Sequence, residues 1–317
     1  MTVKTNPIYI STQESAQHIL SKYDNFLFDC DGVIWLDDKL IPKVDKLLTL
    51  LRQQNKKFIF VSNNSSKSRQ VYLDKFAKLG ITNIAKSEIY PTCYAAALEL
   101  YKNLKIPPGS KIWVLGDEGI ERELTEMGYV PIGGTDPLLD TDWQENHPLL
   151  TVDPEVEAIV VGSTKKFNYM RIATTLQYLL YNNKSIPFIG TNIDRSFPGP
   201  EGLILPAGGS MVNYMAYTSD REFINVGKPS GEFLDVIVKD QGFNKDRTLM
   251  VGDTLYTDIK FGNDGQLGDG HGSLLVLSGG TKFNDLTKVL ENRSIEDEGL
   301  IPSFYIESLT KFIDLLE

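Results

Sequence analysis

The sequence is poor in cysteine, since Cys30 and Cys93 are the only two among its 317 residues. Two cysteines cannot build the disulfide framework of a small secreted domain, and they cannot supply a cysteine-rich zinc site. Cys30 lies at the end of an apolar run, where a small buried side chain is its simplest role. We therefore expect a reducing environment for the protein, in the cytoplasm, with the nucleus as a further location.

The sequence also lacks long hydrophobic runs and an excess of basic residues. No stretch approaches the roughly 18 continuous apolar residues of a membrane helix, and the N-terminal residues MTVKTNPIYIS do not resemble a signal peptide. The net charge is −10, from 42 acidic and 32 basic residues, whereas nucleic acids and anionic membranes attract basic surfaces. We expect neither partner. An anionic substrate would need a cation or backbone amides to hold it.

The order of apolar runs predicts an α/β fold. Short apolar strands alternate with amphipathic helices, which is typical of a parallel sheet covered by helices; the strands include FLFDC, KFIFVSNN, KIWVLGDEG and EAIVVGST. Ser11 and Glu14 predict a capping box at the start of the first helix. The glycine-rich stretch NDGQLGDGHGS predicts a mobile loop. Three histidines belong to no motif, and we expect them at the surface: His18, His147 and His271.

Four predicted strands end in polar residues. FLF is followed by Asp29, Cys30, Asp31 and Gly32; FIFV by Ser62, Asn63 and Asn64; INV by Gly227 and Lys228; and LMV by Gly252 and Asp253, with Asp258 close behind. In open parallel sheets, ligands bind outside the carboxyl ends of the strands. We therefore expect these side chains to converge on one site.

The residue types at these strand ends suit phosphoryl transfer. Asp29, Asp31 and Asp253 offer hard oxygen ligands, which favour Mg²⁺, and a cation would offset the repulsion between the paired acids. Lys228 and Ser62, with nearby backbone N–H groups, could hold phosphate oxygens. Asp29 could then be a nucleophile that forms an aspartyl-phosphate. Asp31 could protonate the leaving alcohol and later deprotonate the water.

Each motif taken alone has a simpler interpretation. The paired acids could cap a strand and a turn, and Ser62 to Asn64 could form a turn or a helix N-cap. Lys228 could be a solvated lysine, and Asp253 could be a helix N-cap. The prediction of a hydrolase depends on their occurrence together, at four predicted strand ends.

FLFDCDGVIW, FVSNNSSKSR, VGKPSGEF and MVGDTLYTDI resemble the four motifs of the haloacid dehalogenase superfamily of aspartate-nucleophile phosphatases. The sequence is most similar to the eukaryotic para-nitrophenyl phosphatase and phosphoglycolate phosphatase group, and to a fungal member of it. KFNYMRIATTL, FIGTNID and PAGGSM resemble cap segments of that group. The resemblance implies a Rossmann-like core with a parallel sheet, in residues 1–104 and 222–317. It also implies an inserted α/β cap of the C2 type, in residues 105–221, through which two copies form a homodimer.

The resemblance also implies roles for individual residues. Mg²⁺ is expected on the side chains of Asp29 and Asp253 and the main-chain carbonyl of Asp31, with Asp258 orienting the water shell of the metal. The implied phosphoryl contacts are Ser62, Asn63, Asn64 and Lys228. The implied leaving-group contacts are Asp194 and Phe197, in a loop of the cap. The alternative for this loop is that Asp194 caps a turn and Phe197 packs inside the cap.

The function implied is a Mg²⁺-dependent phosphomonoester hydrolase for small phosphorylated metabolites. We expect 2-phosphoglycolate as the favoured substrate, para-nitrophenyl phosphate as a substrate in vitro, and a role in clearing an inhibitory metabolite. The main alternative is a phosphoprotein-directed or regulatory phosphatase, which a large cap disfavours. A dehalogenase would need neither Asp31 nor a metal, and a phosphomutase would exclude water.

Four segments depart from the pattern of the group. The turn Trp35-Leu36-Asp37-Asp38 replaces one that usually carries glycine, and Thr254 stands where arginine is usual. Ser163-Thr164 occupies a cap position that usually carries aspartate, and the loop at residues 263–272 is longer than usual. We expect none of these segments to touch a catalytic position, although they leave the leaving-group preference open.

Overall fold

The computed structural model describes residues 6–199, 203–292, 294 and 298–317. The chain forms two compact units. The first contains the residues up to Ser62, Leu73–Tyr90 and Lys228–Glu317, and the second contains Asn63–Tyr72 and Pro91–Gly227. The boundaries of these units differ from the predicted domain boundaries at residues 104/105 and 221/222. The division into core and cap domains stays a prediction.

The described strands and helices follow the predicted alternation closely. The strands are β1 (Ile8–Tyr9), β2 (Asn25–Phe28), β3 (Trp35–Leu36), β4 (Lys39–Leu40), β5 (Lys57–Ser62), β6 (Ile89–Pro91), β7 (Lys111–Leu115), β8 (Val130–Gly133), β9 (Val156–Val161), β10 (Phe188–Gly190), β11 (Ser196–Pro198), β12 (Ile204–Pro206), β13 (Ile224–Asn225), β14 (Thr248–Gly252), β15 (Ser273–Val276) and β16 (Phe304–Ile306). The α-helices are α1 (Gln13–Lys22), α2 (Val44–Gln53), α3 (Arg69–Lys78), α4 (Thr92–Leu98), α5 (Glu118–Glu126), α6 (Tyr169–Lys184), α7 (Gly208–Ser219), α8 (Gly231–Gln241), α9 (Lys260–Asp264), α10 (Phe283–Glu291) and α11 (Leu309–Asp314). None of these helices is both long enough and apolar enough to cross a membrane.

The first unit is built on a seven-stranded sheet in the order β1-β16-β15-β14-β2-β5-β6. The pairings from β1 to β5 are all parallel. The central strands β2 and β14 are buried along their whole length, as expected for parallel strands that are covered on both faces. The α/β prediction is therefore confirmed for this unit.

The first helix begins one residue later than the predicted capping box requires. Thr12, rather than Ser11, is the N-cap, and its hydroxyl accepts a hydrogen bond from the backbone N–H of Ser15. The hydroxyl of Ser15 in turn accepts from the backbone N–H of Thr12. A serine at the third helical position thus takes the part predicted for Glu14, because its short side chain reaches the N–H of the N-cap residue Thr12.

The second unit has its own five-stranded sheet, in the order β13-β10-β9-β7-β8, with parallel pairings throughout. Its core includes Trp113 stacked on Tyr178, with ring centroids 4.3 Å apart. A separate antiparallel pair, β11 and β12, carries Phe197.

One predicted strand belongs to a different sheet from the one expected. The INV strand, β13, pairs with β10 of the second unit through Ile189 and Ile224. The prediction that four strands of a single sheet end at the site is therefore wrong for this strand. A two-residue strand has little pairing energy of its own, so the neighbouring strand that it meets decides its sheet.

Two further expectations about surface features need correction. His147 is only 7% exposed, because its Nδ1 accepts a hydrogen bond from the backbone N–H of Leu149 and caps a short turn. His18 and His271 are exposed, as expected. Residues 263–272 begin at the end of α9 and continue as hydrogen-bonded turns around the buried Leu267. This segment therefore packs against the unit, whereas the sequence predicted a mobile loop.

Candidate active site

The parallel register brings two acids to the same edge of the first unit. Phe28, the last residue of β2, pairs with Val251 of β14, and the backbone N–H of Asp29 donates to the carbonyl of Val251. Asp29 and Asp253 therefore follow neighbouring strands at the same level. The apolar runs before them are buried on both faces, so their first polar side chains emerge where the strands end.

Three carboxylates meet at this edge. Asp29, Asp253 and Asp258 each have an oxygen within 4.8 Å of an oxygen of the others. Lys228 joins them from a distant part of the sequence. Its Nζ donates to Oδ1 of Asp29 (2.6 Å), to Oδ1 of Asp258 (2.7 Å) and to the carbonyl of Val61 (2.9 Å). The side chain of Lys228 is only 2% exposed, so this cation acts inside the protein rather than in solvent.

Burial and crowding alter the protonation of these groups. Burial raises the pKa of Asp29 well above its usual value, and the neighbouring Asp258 and Asp253 raise it further against the opposing effect of Lys228. Burial, followed by Asp258, raises the pKa of Asp253 to about 7. Burial acts to lower the pKa of Lys228, but Asp258 and Asp29 together raise it above its usual value. The lysine therefore stays charged.

The donor set fits a hard divalent cation. Three closely spaced carboxylates with one ammonium leave an excess of negative charge, and carboxylate oxygens are the ligands that Mg²⁺ and Ca²⁺ prefer. Asp258 has less capacity left than the others. Its Oδ1 accepts from Lys228, and its Oδ2 accepts from the backbone N–H groups of Asp253 and Thr254, both at 3.0 Å. This arrangement suits an orienting role for Asp258 better than direct coordination.

Thr254 contacts a proposed metal ligand directly. Its hydroxyl donates to Oδ1 of Asp253 over 3.1 Å, while the backbone N–H of Gly280 donates to Oδ2 over 2.5 Å. Both oxygens of Asp253 are thereby oriented. The expectation that Thr254 would touch no catalytic position is wrong, because the residue after a strand-end acid can turn its side chain back onto that acid.

The turn after Asp29 requires glycine at one position. Gly32 has a φ of +86°, and a Cβ at this residue would lie 2.3 Å from Oδ2 of Asp253. Asp31, one residue earlier, is exposed, and its Oδ1 accepts a hydrogen bond from the indole of Trp35. A second segment that departs from the pattern, the turn that begins at Trp35, therefore contacts a proposed catalytic residue, contrary to expectation.

The remaining candidates divide between the two units. Ser62 is the last residue of β5 and is buried. In the second unit, Nδ2 of Asn63 donates to Oδ2 of Asp194 over 3.0 Å, and Oδ1 of Asn64 accepts from the backbone N–H and the hydroxyl of Ser66. Phe197 is 43% exposed, so the alternative that it packs inside the cap is wrong.

Sequence reasoning overlooked the contacts of Trp35 and Thr254. The hydroxyl residue directly after Asp253 could have indicated the first contact, since groups next to a metal ligand often form hydrogen bonds to it. No sequence signal pointed to Trp35, because its approach to Asp31 depends on a turn and on strand pairing between β3 and β4.

Three family profiles together match most of the chain. Profiles described as haloacid dehalogenase-like hydrolase match residues 26–130 and 124–265. A third, described as HAD-hydrolase-like, matches residues 225–310.

Several curated proteins are similar over nearly the full length of the chain. A 4-nitrophenylphosphatase of Schizosaccharomyces pombe is 38% identical over 307 residues, covering 96% of this chain and 98% of that protein. Phosphoglycolate phosphatase 1A, chloroplastic, of Arabidopsis thaliana is 37% identical and covers 97% and 82%. A glycerol-3-phosphate phosphatase of Homo sapiens is 33% identical and covers 96% and 94%.

The fold also matches a solved structure. A p-nitrophenyl phosphatase from Archaeoglobus fulgidus superposes with a TM-score of 0.75 at 28% identity, covering 92% of this chain and 99% of that one. This chain therefore shares its α/β architecture and parallel sheet with that solved structure.

Proposed function

The chain belongs to the haloacid dehalogenase-like hydrolase family and is a phosphatase of that family, and we propose that it is a Mg²⁺-dependent hydrolase of small phosphomonoesters. One observation carries the proposal. Asp29, Asp253 and Asp258 meet within 4.8 Å, and the buried Lys228 forms ion pairs with Asp29 and Asp258. A nucleophile, a cation site and a fixed positive charge are thus available together.

The first half of the reaction transfers the phosphoryl group to Asp29. A carboxylate oxygen of Asp29 attacks phosphorus and forms an aspartyl-phosphate. The bond from phosphorus to the leaving oxygen breaks, and Asp31 gives its proton to that oxygen. Lys228 and Ser62 hold the phosphoryl oxygens. Mg²⁺ held by the side chains of Asp29 and Asp253 and the main-chain carbonyl of Asp31 would supply positive charge that offsets the charge of the phosphoryl group.

The second half restores Asp29. Asp31, now ionised, takes a proton from a water molecule, whose oxygen attacks phosphorus. The bond between phosphorus and Asp29 breaks, inorganic phosphate leaves, and Asp31 again carries a proton for the next turnover. Two acids with one residue between them can thus serve both halves of the cycle.

For the substrate we favour 2-phosphoglycolate, with clearance of an inhibitory metabolite as the role of the reaction. Relatives named for phosphoglycolate and for glycerol 3-phosphate have similar identity to this chain. Both compounds are small alkyl phosphates, so the two should be compared as substrates. Asp194 and Phe197 are the proposed leaving-group contacts. The hydrogen bond between Asn63 and Asp194 supports this, because it joins a proposed phosphoryl contact to one of them.

The test is a substrate panel with the purified full chain and Mg²⁺. The panel contains 2-phosphoglycolate, glycerol 3-phosphate, para-nitrophenyl phosphate and a phosphoserine peptide. We expect kcat/KM to be highest for 2-phosphoglycolate, by at least about 10-fold over the other alkyl phosphate, since pocket contacts discriminate by about 10–200-fold. Asp29→Asn should reduce turnover of every ester to background, because an amide cannot attack phosphorus.

Asp45→Asn is the matched control, since Asp45 is an exposed acid on α2 and should keep full activity. Near-normal kcat in Asp29→Asn would refute the aspartyl-phosphate. A preference for glycerol 3-phosphate would refute only the choice of 2-phosphoglycolate as the favoured substrate. A preference for the peptide would favour a protein-directed phosphatase. The homodimer and the cytoplasmic location stay predictions.

A further inference from the structure

Trp35 makes a contact that the resemblance does not assign. Its indole Nε1 donates a hydrogen bond to Oδ1 of Asp31 over 2.8 Å. The indole is only 1% exposed, whereas Asp31 is exposed. The bond therefore ties an exposed carboxylate to a buried ring.

The ring of Trp35 is held from several sides. It meets Phe76 edge to face, with centroids 5.0 Å apart at 67°, and Nζ of Lys75 lies 4.2 Å from its centroid. The same Nζ donates to the carbonyl of Asp37 over 2.7 Å, in the turn between β3 and β4. A cation over an aromatic face is favourable, and here it also links the ring to the turn that presents it.

The backbone around Trp35 closes on the residues beside Asp31. The N–H of Trp35 donates to the carbonyl of Cys30 over 3.2 Å, and the N–H of Gly32 donates to the carbonyl of Trp35 over 2.7 Å. The carbonyl of Gly32 accepts from the hydroxyl of Ser278. The donor and its acceptor thus belong to one short hydrogen-bonded loop, which limits how far either can move.

We propose that Trp35 is a positioning residue for the reaction, in that its indole N–H holds Asp31 in the orientation needed for proton transfer. This inference rests on the proposed function, since it concerns the acid and base of that mechanism. An exposed aspartate otherwise populates several rotamers, and proton transfer depends on the distance to the reacting oxygen. The indole occupies Oδ1 and leaves Oδ2 for the proton.

The first test compares single-turnover rates of the wild type and Trp35→Phe, as full chains with Mg²⁺. Phe keeps an aromatic ring in the packing but has no N–H. With 2-phosphoglycolate and glycerol 3-phosphate we expect phosphoryl transfer to slow by about 10-fold, part of the roughly 10²–10⁴-fold that general acid catalysis contributes. With para-nitrophenyl phosphate we expect less than about 2-fold, because nitrophenolate leaves without a proton.

Trp113→Phe is the matched control. Trp113 is also 1% exposed, and its Nε1 donates to the hydroxyl of Thr175 over 2.9 Å. The substitution likewise removes an indole hydrogen bond from a buried ring, but from a residue with no proposed part in the reaction. Its ratio of rates between alkyl and nitrophenyl esters should equal that of the wild type.

The second test needs no turnover. The chain has three tryptophans, so its ¹⁵N-labelled indole groups give few signals, and the Trp35 signal is the one that Trp35→Phe removes. Asp31→Asn should shift that signal, because an amide replaces the carboxyl group that accepts the indole hydrogen bond. Asp38→Asn, an exposed acid in the nearby turn, should leave it in place.

Two results would overturn the inference: an equal loss of rate for all esters in Trp35→Phe, or a Trp35 indole signal that Asp31→Asn does not move. A wild-type chain inactive toward every ester would instead refute the proposed function. In that case the indole signal alone decides whether Trp35 holds Asp31.

Discussion

At the scale of single residues, Thr254 shows how a neighbour can adjust a metal ligand. Asp253 is buried, and its pKa is raised to about 7, so its ionised form needs support. The hydroxyl of Thr254 donates to one carboxylate oxygen. Groups that orient metal ligands in this way typically change metal affinity by about 10–100-fold.

Thr254→Val should therefore weaken Mg²⁺ binding by about 10-fold, while the similar shape of valine preserves the packing. Isothermal titration calorimetry with Mg²⁺ measures this without any substrate. Thr257→Val, a change of the same kind nearby on the chain, is the control and should bind Mg²⁺ as the wild type does. Equal affinity of all three proteins would mean that the hydroxyl has no such role.

At the scale of elements, helix α8 carries a glycine at each end, in different conformations. Gly231 begins the helix after the N-cap Ser230, whose hydroxyl accepts from the backbone N–H of Phe233. Gly242 ends it in the left-handed region, with a φ of +63°. A Cβ would meet no atom within 4 Å at either position, so any difference between the two substitutions comes from the backbone.

Gly242→Ala should lower the free energy of unfolding by about 1 kcal/mol, because a side chain makes the left-handed conformation unfavourable. Gly231→Ala should raise it by about 0.5 kcal/mol, because alanine loses less conformational freedom on folding. Urea denaturation of the two variants and the wild type gives both signs. Similar changes in the free energy of unfolding of both variants would indicate that the left-handed backbone is not the reason for glycine at position 242.

At the scale of the whole molecule, the site joins distant parts of the sequence within the first unit. Lys228 and Asp29 are 199 residues apart in the chain. Asp29 lies in the N-terminal segment of the unit, and Asp253 and Asp258 lie with Lys228 in its C-terminal segment. A ligand that binds only the folded protein stabilises it, by about 2.7 kcal/mol at 100 times its Kd. A cation shared by both segments should therefore stabilise the unit.

We expect saturating Mg²⁺ to raise the Tm of the metal-free chain by several degrees. Asp253→Asn should abolish most of this increase, because it removes one proposed ligand. Asp246→Asn, an exposed acid elsewhere in the same unit, should keep it. Differential scanning calorimetry with and without EDTA measures the effect, and an increase retained in Asp253→Asn would argue against this metal site.

The sequence alone was sufficient for much of the fold and for the acids of the site. Buried parallel strands read as continuous apolar runs, and their ends are the first places where polar side chains can appear. The positions of Asp29, Ser62 and Asp253 at the ends of β2, β5 and β14 follow from this local pattern. So does the alternation of strands and helices in both units.

Only the tertiary structure decided which of these residues meet, and what else they touch. The sheet of β13 and the ion pairs of Lys228 depend on contacts between segments far apart in the chain. The bonds from Trp35 to Asp31 and from Thr254 to Asp253 are close in sequence, yet they depend on turn geometry. Periodicity reports which face of an element is buried, but it carries no information about the direction in which a turn points a side chain.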